Sequence, residues 1–309
     1  MQEHYFIGVD GGGTKCKAVL QSHDGIIIGE GLSGSANPAT DLPLAILSIV
    51  ESSQEALKQA NLPVDYLRFC HVGMGLAGVN LPSIRHNMLQ WNNPFASVHL
   101  TTDLHIACLG AHDGADGAVI ITGTGSSAFA VERGDQLNLG GHGFTAGDKG
   151  GGAWIGRAAT QICLEAMDEL VPYSPLVDSL KHFLQCADAT AVAEKVNGAP
   201  AVFFATLAPL VLDAAKQNDP IAVSILRDGA DYLSKLARRL LPHSSGRLAM
   251  IGGLAYSLTP WMDEDVQARL CQPRFSPDYG ALLLAQQQTG ITHTSALIKK
   301  HNKRKVNEN

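Results

Sequence analysis

The chain opens with three short hydrophobic segments that are separated by turns. Residues 5–9 form an apolar run, residues 16–20 alternate apolar with polar side chains, and residues 26–28 follow an Asp24-Gly25 turn. Short apolar or alternating runs that are bounded by glycine and aspartate predict β-strands. We therefore expect three strands that are joined by tight turns.

A helix and two more strands are predicted in the rest of the first half. Between residues 44 and 60 the apolar side chains recur near a 3.6-residue period, which predicts an amphipathic helix. Apolar runs at 69–76 and 98–100 predict strands. Strands followed by alternating helices and strands indicate a mixed sheet that is flanked by helices, and hence an α/β fold.

The second half repeats the opening pattern. Three strands are predicted at 118–121, 127–131 and 136–139, with a glycine turn at 123–126 between the first two. The segments that follow are a glycine-rich loop at 140–152, a helix at 153–170, a largely helical stretch at 174–242 and a strand at 248–251. Two strand-turn-strand patterns in equivalent positions suggest an internal duplication. The alternative is that such hairpins are simply common.

Composition narrows the range of functions. A chain of 309 residues, 45% of them hydrophobic, is long enough for two domains with cores of their own. A net charge of -6 with 17% charged residues argues against a nucleic-acid partner and favours a small-molecule ligand. The six cysteines show no metal-ligand spacing, and no apolar run approaches the ~20 residues of a membrane span. The N-terminal residues lack the pattern of a signal peptide, so we expect a cytoplasmic protein with no membrane partner.

The first glycine turn carries candidate phosphate-binding chemistry. Residues 8–15 read Gly-Val-Asp-Gly-Gly-Gly-Thr-Lys, and three glycines let successive backbone N–H groups approach a phosphate closely. The candidate ATP ligands in this turn are Gly11, Gly12, Gly13, Thr14 and Lys15. Asp10, at the end of the first strand, is a candidate for holding magnesium through water. Because the Walker A spacing is absent and no helix follows, an ordinary hairpin is the alternative.

Two further glycine motifs extend the predicted nucleotide site. The second turn offers the same amide-rich geometry, with Gly123, Thr124, Gly125 and Ser126 as candidate ATP ligands. Paired with the first turn, it suggests two hairpins that hold one polyphosphate between two domains. Gly252 and Gly253 end a predicted strand with a bare backbone surface that suits adenine, although such a pair is often only a turn.

Two aspartates are candidates for work on an acceptor molecule. Asp103 follows the strand at 98–100, where a carboxylate can take the proton of a hydroxyl group that attacks the γ-phosphate. Asp148 lies in a glycine-dense loop, where it could bind sugar hydroxyls. For both residues the alternative is a helix N-cap, a position that favours aspartate.

With these residues in place, the chain resembles the group of N-acetylglucosamine kinases and bacterial glucosamine kinases among the BadF/BadG/BcrA/BcrD-type ATPases, within the actin/hexokinase/Hsp70 superfamily. The motifs that carry the resemblance are residues 10–15, 123–126 and 252–253, in that order. The resemblance implies two ribonuclease H-like (actin-like ATPase) α/β domains with a central cleft. It implies domain bounds of 1–117 plus 277–309 and 118–276, because a helix at 279–289 is expected to return to the first domain.

The resemblance also implies roles for individual residues. Asp103 becomes the catalytic base, while Asn37, Asp148 and Gly78 become sugar ligands beside it. Ala77 stands where the mammalian N-acetylglucosamine kinases carry a sugar-binding serine, and the bacterial glucosamine kinases share this alanine. The implied activity is ATP- and Mg2+-dependent phosphorylation of an amino sugar at its 6-hydroxyl. N-acetylglucosamine is the favoured acceptor, followed by glucosamine, and a homodimer is common in the family.

Two other functions are open to the same fold. An ATPase that activates a dehydratase or reductase would hold an iron-sulfur cluster through a cysteine just before the second glycine turn, and residues 118–122 contain none. A non-catalytic sugar sensor would more readily have lost Asp103. The basic run at 299–305 is typical of a solvated terminus, with contact to an acidic partner as the alternative.

Overall fold

The computed structural model describes residues 4–290, which form two compact units. One unit contains the chain up to Asp116 together with the residues from Pro273 onward, and the other contains Gly117–Gln272. We call these the first and second units. The basic run at 299–305 lies outside the described residues.

The first unit is built on a five-stranded mixed sheet. Its strands lie in the order β3-β2-β1-β4-β5, with β1–β3 antiparallel and with β4 and β5 parallel to β1. The bounds are β1 Tyr5–Gly11, β2 Cys16–Gln21, β3 Ile27–Ser33, α1 Leu42–Gln59, β4 Cys70–Leu76, α2 Pro82–Leu89, β5 Ser97–Thr102, α3 Asp103–Ala111 and α12 Pro277–Thr289, with a 3-10 turn at Val64–Phe69. The parallel strands β1, β4 and β5 therefore end at the same edge of the sheet.

The second unit repeats this topology. Its sheet has the order β10-β9-β6-β7-β8, with β6–β8 antiparallel and with β9 and β10 parallel to β6. The bounds are β6 Gly117–Thr122, β7 Ser126–Glu132, β8 Asp135–Gly140, α4 Gly152–Met167, α5 Pro175–Leu184, α6 Ala189–Val196, α7 Ala201–Ala205, α8 Ala208–Lys216, α9 Pro220–Leu240, β9 Leu248–Ile251, α10 Ala255–Leu258, α11 Glu264–Gln267 and β10 Leu270–Cys271, with 3-10 turns at Leu241–His243 and Thr259–Trp261. Read from its other edge, this order is β8-β7-β6-β9-β10, which matches β3-β2-β1-β4-β5 strand for strand. An internal duplication produces such a match.

Helix α12, the last helix within residues 4–290, packs directly on the backbone of the first sheet. A Cβ atom on Gly73 of β4 would lie 1.9 Å from the carbonyl oxygen of Ala281, and one on Gly8 of β1 would lie 2.1 Å from that of Asp278. Only glycine permits this approach. The helix consequently supports the strands that lead to the predicted site.

The predicted α/β fold with two actin-like sheet domains is confirmed. Strand β3 runs to Ser33, well beyond the predicted 26–28. The prediction was too short because Gly29 and Gly31, which lie against the backbone of α1, interrupt the apolar pattern. The sequence pattern does not predict helix α2, since its eight residues bury only Met88 and show little periodicity. Within residues 4–290, none of the helices combines the length and the apolar character that a membrane crossing requires.

Candidate active site

The first glycine turn joins β1 to β2 as a tight hairpin. Gly11 pairs with Cys16 in the strand ladder, and the Gly12 amide donates to the Lys15 carbonyl oxygen at 3.0 Å. Gly11 is buried and Gly12 half-buried, whereas Gly13, Thr14 and Lys15 are exposed. Within this predicted set, the exposed tip therefore offers the groups best placed to meet a phosphate.

Two loops pack against this turn and carry predicted sugar ligands. The Ala36 amide donates to the Gly12 carbonyl oxygen, and the Ala77 amide donates to the Gly11 carbonyl oxygen, each at 2.9 Å. Gly78 adopts φ +83°, and a Cβ atom there would lie 2.6 Å from Asn37 Oδ1. The structure thus brings Asn37 and Gly78 together beside the end of β1.

Asn37 presents a side-chain donor that the described part of the protein does not use. Its Oδ1 accepts from the Ala39 amide at 3.0 Å, which fixes the orientation of the side chain. Its Nδ2 has no hydrogen-bond partner among residues 4–290. A half-buried amide nitrogen in this state suits a ligand oxygen such as a sugar hydroxyl.

Asp103 lies at the start of α3, directly after β5. The N-cap of α3 is Thr102, whose hydroxyl accepts from the His105 amide at 3.2 Å, so Asp103 does not serve as the cap. Asp103 Oδ1 accepts from the Leu104 amide at 2.9 Å, which orients the carboxylate. Burial raises the pKa of Asp103, and the hydrogen bond from Leu104 lowers it by less. A carboxylate with a raised pKa is a stronger base, as general-base catalysis requires.

Asp10 lies among charged groups on the same edge of the sheet. Burial, together with the negative charges of Asp278 and Asp103, raises the pKa of Asp10 to about 6, against the opposing effect of Lys15 and Lys17. Lys17 pairs with Asp278 at 3.2 Å and with Glu30 at 3.3 Å. Sequence reasoning missed Asp278 and Lys17, because Asp278 lies in α12 and is distant in sequence from the first turn.

The second glycine turn, in the second unit, is held in place by hydrogen bonds within the turn and to the loop that contains Lys149. The Gly123 amide donates to the Gly125 carbonyl oxygen at 2.9 Å, and Ser126 Oγ donates to the Lys149 carbonyl oxygen at 2.7 Å. Ser126 is buried, so its hydroxyl is engaged within the protein, whereas Thr124 is exposed. The Thr124 hydroxyl and the open Gly123 position are the parts of this turn that a ligand can reach.

Asp148 lies against the second turn rather than at a helix cap. The N-cap of α4 is Gly151, while Asp148 adopts φ +57°, a left-handed conformation that is uncommon for residues other than glycine. Its Oδ1 accepts from the Gly143 amide at 3.1 Å, and a Cβ atom on Gly125 would lie 2.4 Å from its Oδ2, so a side chain at position 125 would displace the carboxylate. Burial raises the pKa of Asp148. Strained residues of this kind concentrate at functional sites.

The glycine pair after β9 touches the strand that leads to the second turn. Gly252 adopts φ +103°, and a Cβ atom on it would lie 2.3 Å from the Thr122 carbonyl oxygen, so a side chain is excluded. The Leu254 amide donates to that same oxygen at 3.2 Å. A Cβ atom on Gly253, in contrast, would have no heavy-atom neighbour within 4 Å.

The predicted residues therefore divide between the units. The first unit carries Asp10, Asn37, Gly78 and Asp103 around the ends of parallel strands, a common location for ligand sites in α/β folds. Among residues 4–290, no group of three or more His, Cys, Asp or Glu side chains is arranged to hold a metal on its own. Magnesium on a phosphate takes most of its ligands from water and phosphate oxygens, and Asp10, a buried carboxylate close to other acidic groups, is the residue that would meet it here.

The fold places the protein in a structural class. The ROK family glucokinase from Streptomyces griseus, solved in complex with glucose and AMPPNP, superimposes with a TM-score of 0.53 at 15% identity and covers 92% of this chain and 98% of its own. That likeness concerns the fold alone. Two sheets of this topology, each with a glycine turn after its first strand, define an actin-like α/β protein.

Closer relatives identify the family. Glucosamine kinase GspK from Vibrio cholerae is 34% identical over 283 residues, which cover 91% of this chain and 96% of GspK. A Chromobacterium violaceum structure, provisionally named N-acetylglucosamine kinase, superimposes with a TM-score of 0.85 at 33% identity and covers 93% of this chain and 100% of its own. The BadF/BadG/BcrA/BcrD ATPase family model matches residues 7–285, and the chain belongs to this family.

Proposed function

We propose that the protein is an ATP-dependent kinase that phosphorylates the 6-hydroxyl of an amino sugar. The observation that carries this proposal is the oriented, half-buried carboxylate of Asp103, which lies at the end of β5 and acts electrostatically on Asp10. Phosphoryl transfer needs a base near the nucleophile and charge neutralisation at the phosphates. The first unit supplies a candidate for each.

Each residue then has a specific task. Asn37 Nδ2 and the backbone around Gly78 bind sugar oxygens, and Asp148 is a further candidate for a sugar hydroxyl. Asp103 takes the proton of the 6-hydroxyl while the oxygen attacks the γ-phosphorus of ATP, and the bond from that phosphorus to the β,γ-bridging oxygen breaks so that ADP leaves. The exposed groups of the two glycine turns bind phosphate oxygens, and Gly253 offers a surface for the base. Magnesium, when bound near Asp10, would neutralise charge on the phosphates.

The acceptor is an amino sugar, with N-acetylglucosamine and glucosamine as the two candidates. GspK is named a glucosamine kinase, whereas the Chromobacterium violaceum relative is named for N-acetylglucosamine. Ala77 offers no hydroxyl at the loop beside Asn37, and its amide is engaged by the Gly11 carbonyl oxygen. This feature favours an acceptor that is recognised without a side-chain contact from position 77.

The test is an assay of ADP release with magnesium-ATP and a panel of N-acetylglucosamine, glucosamine, N-acetylmannosamine and glucose. We expect turnover on one of the two named amino sugars to exceed that on glucose by at least tenfold. The 6-deoxy analogue of the preferred sugar should bind without being phosphorylated. ATP hydrolysis at the same rate with and without sugar would contradict the kinase proposal.

A further inference from the structure

Tyr256 is a large aromatic side chain that the protein leaves in solvent. It is 92% exposed, the highest value among the exposed large hydrophobic residues of 4–290, while Leu258 on the same helix is fully buried. Within that range Tyr256 makes no hydrogen bond, ion pair or ring contact. Its exposure therefore does not arise from a structural task that its ring or hydroxyl performs within the described chain.

The backbone places Tyr256 beside the open glycine of the β9 motif. The Ala255 amide donates to the Gly252 carbonyl oxygen at 3.1 Å, so the chain turns helically directly after the glycine pair. Gly253 is a central residue of that turn, and Tyr256 follows it three residues later as the second residue of α10. Gly253, which has open space where a side chain would be, and Tyr256 therefore lie close together on the same surface segment.

This surface adjoins the second phosphate turn. In the parallel pair β6 and β9, Ile121 lies opposite Ile251, so Thr122 and Gly252 are neighbours at the strand ends. Thr122 leads directly into the turn Gly123–Gly125, whose exposed tip faces a ligand in the proposed function. A nucleotide whose phosphates meet this turn would extend its base toward Gly253 and Tyr256.

We propose that Tyr256 binds the purine base of the nucleotide by stacking its ring on the base, with Gly253 as the bare backbone beside it. This inference rests on the proposed use of ATP. An aromatic ring stacks on any base through its π-face and needs no hydrogen-bond partner in the protein. This explains why the Tyr256 side chain can remain exposed when no nucleotide is bound. Removal of such a stack weakens base binding by about 5- to 150-fold.

The test measures ADP binding by titration calorimetry in the presence of magnesium. We expect Tyr256→Ala to weaken ADP binding about tenfold, and Tyr256→Phe and Tyr256→Trp to stay within about threefold of wild type. Inorganic tripolyphosphate, which has no base, should bind wild type and Tyr256→Ala equally. Tyr173→Ala is the matched control, because Tyr173 is 53% exposed in the same unit and lies on a different segment.

The outcomes separate this inference from the proposed function. If wild type binds ADP and Tyr256→Ala binds it equally well, the stacking role is wrong and the kinase proposal stands. If Tyr256→Ala loses tripolyphosphate binding as well, or if its only change is in oligomeric state, the stacking role is also wrong. Failure of the wild type to bind ADP would overturn both proposals.

Discussion

At the residue scale, Asp10 and Asp103 are held in environments that suit different tasks. Asp10 has its pKa raised to about 6 by burial and then by the charges of Asp278 and Asp103, which makes it ready to accept a cation. Asp103 has its pKa raised by burial and its carboxylate oriented by the Leu104 amide. These environments agree with the proposed metal role of Asp10 and the proposed base role of Asp103.

The base assignment predicts a selective loss in Asp103→Asn. The amide keeps the size and the hydrogen-bonding capacity of the side chain but cannot accept the proton, so kcat should fall by about 10²–10⁴-fold. Sugar affinity, measured by calorimetry, should stay within about threefold. Asp65→Asn, on an exposed residue of the same unit, serves as the control. A variant within tenfold of wild-type kcat would remove Asp103 from the role of base.

Asp10→Asn should stabilise the magnesium-free protein while it abolishes turnover. The folded state raises the pKa of Asp10 from 3.8 to about 6, so ionisation of this group at neutral pH opposes folding. Removal of the charge should therefore add ~1–3 kcal/mol to the free energy of unfolding above pH 6. The gain should shrink as the pH falls from about 6 toward 3.8, because the native carboxyl then becomes protonated. Denaturant unfolding without magnesium, at several pH values, measures this difference in the free energy of unfolding between Asp10→Asn and wild type.

At the element scale, α12 fixes the positions of the strands that end at the site. Gly8 of β1 and Gly73 of β4 allow the helix to lie directly on the sheet, and Gly280 of α12 lies equally close to the Ile106 carbonyl oxygen of α3. Asp10 follows Gly8 by two residues, and Asp103 begins α3. A shift of α12 would therefore move both carboxylates.

We expect Gly73→Ala to destabilise the protein by ~1–3 kcal/mol, since its Cβ atom would lie 1.9 Å from the Ala281 carbonyl oxygen and the helix would have to shift. Chemical denaturation measures the change in the free energy of unfolding. Gly13→Ala is the matched control, because its Cβ atom would meet nothing within 4 Å. Equal stabilities for the two variants would show that α12 is not packed as closely as described.

At the scale of the whole molecule, an ion-pair network joins the beginning and the end of the described chain. Lys17 of β2 contacts Glu30 of β3 and Asp278 of α12, whose carboxylate is buried. Breaking a buried pair leaves a charge without compensation in a medium of low polarity. The network thus couples the return of α12 to the hairpin that carries the first glycine turn.

Lys17→Met should destabilise the protein by ~1–3 kcal/mol, less than a fully buried pair would, because the Lys17 side chain is 28% exposed. The double variant Lys17→Met with Asp278→Asn should recover part of the loss, since it removes the orphaned charge. Lys58→Met, which breaks an exposed pair with Glu55, should have an effect near zero. Additive losses in the double variant would indicate that Lys17 and Asp278 act independently.

Much of the fold and part of the candidate site could be predicted from sequence, for local reasons. Turn glycines and hydrophobic period are local signals, and they were enough to predict the hairpins at 10–16 and 122–126, whereas the return helix at 279–289 was expected from the family resemblance. Whether Asp103 and Asp148 cap helices could not be decided in this way. The caps turned out to be Thr102 and Gly151, because a cap depends on the direction in which the chain leaves the preceding strand or loop.

The sequence by itself determined most of the strands, the two glycine turns and the chemical types at the site, since each depends on neighbours within a few residues; the extent of β3 and the short strand β10 were not among them. Only the tertiary structure decided that Asn37 meets Gly78, that Ser126 points inward while Thr124 points outward, and that Lys17 pairs with Asp278. Those relations depend on contacts between segments that are distant in the chain. They form only when the sheet aligns its strands and α12 closes over them, which local patterns do not encode.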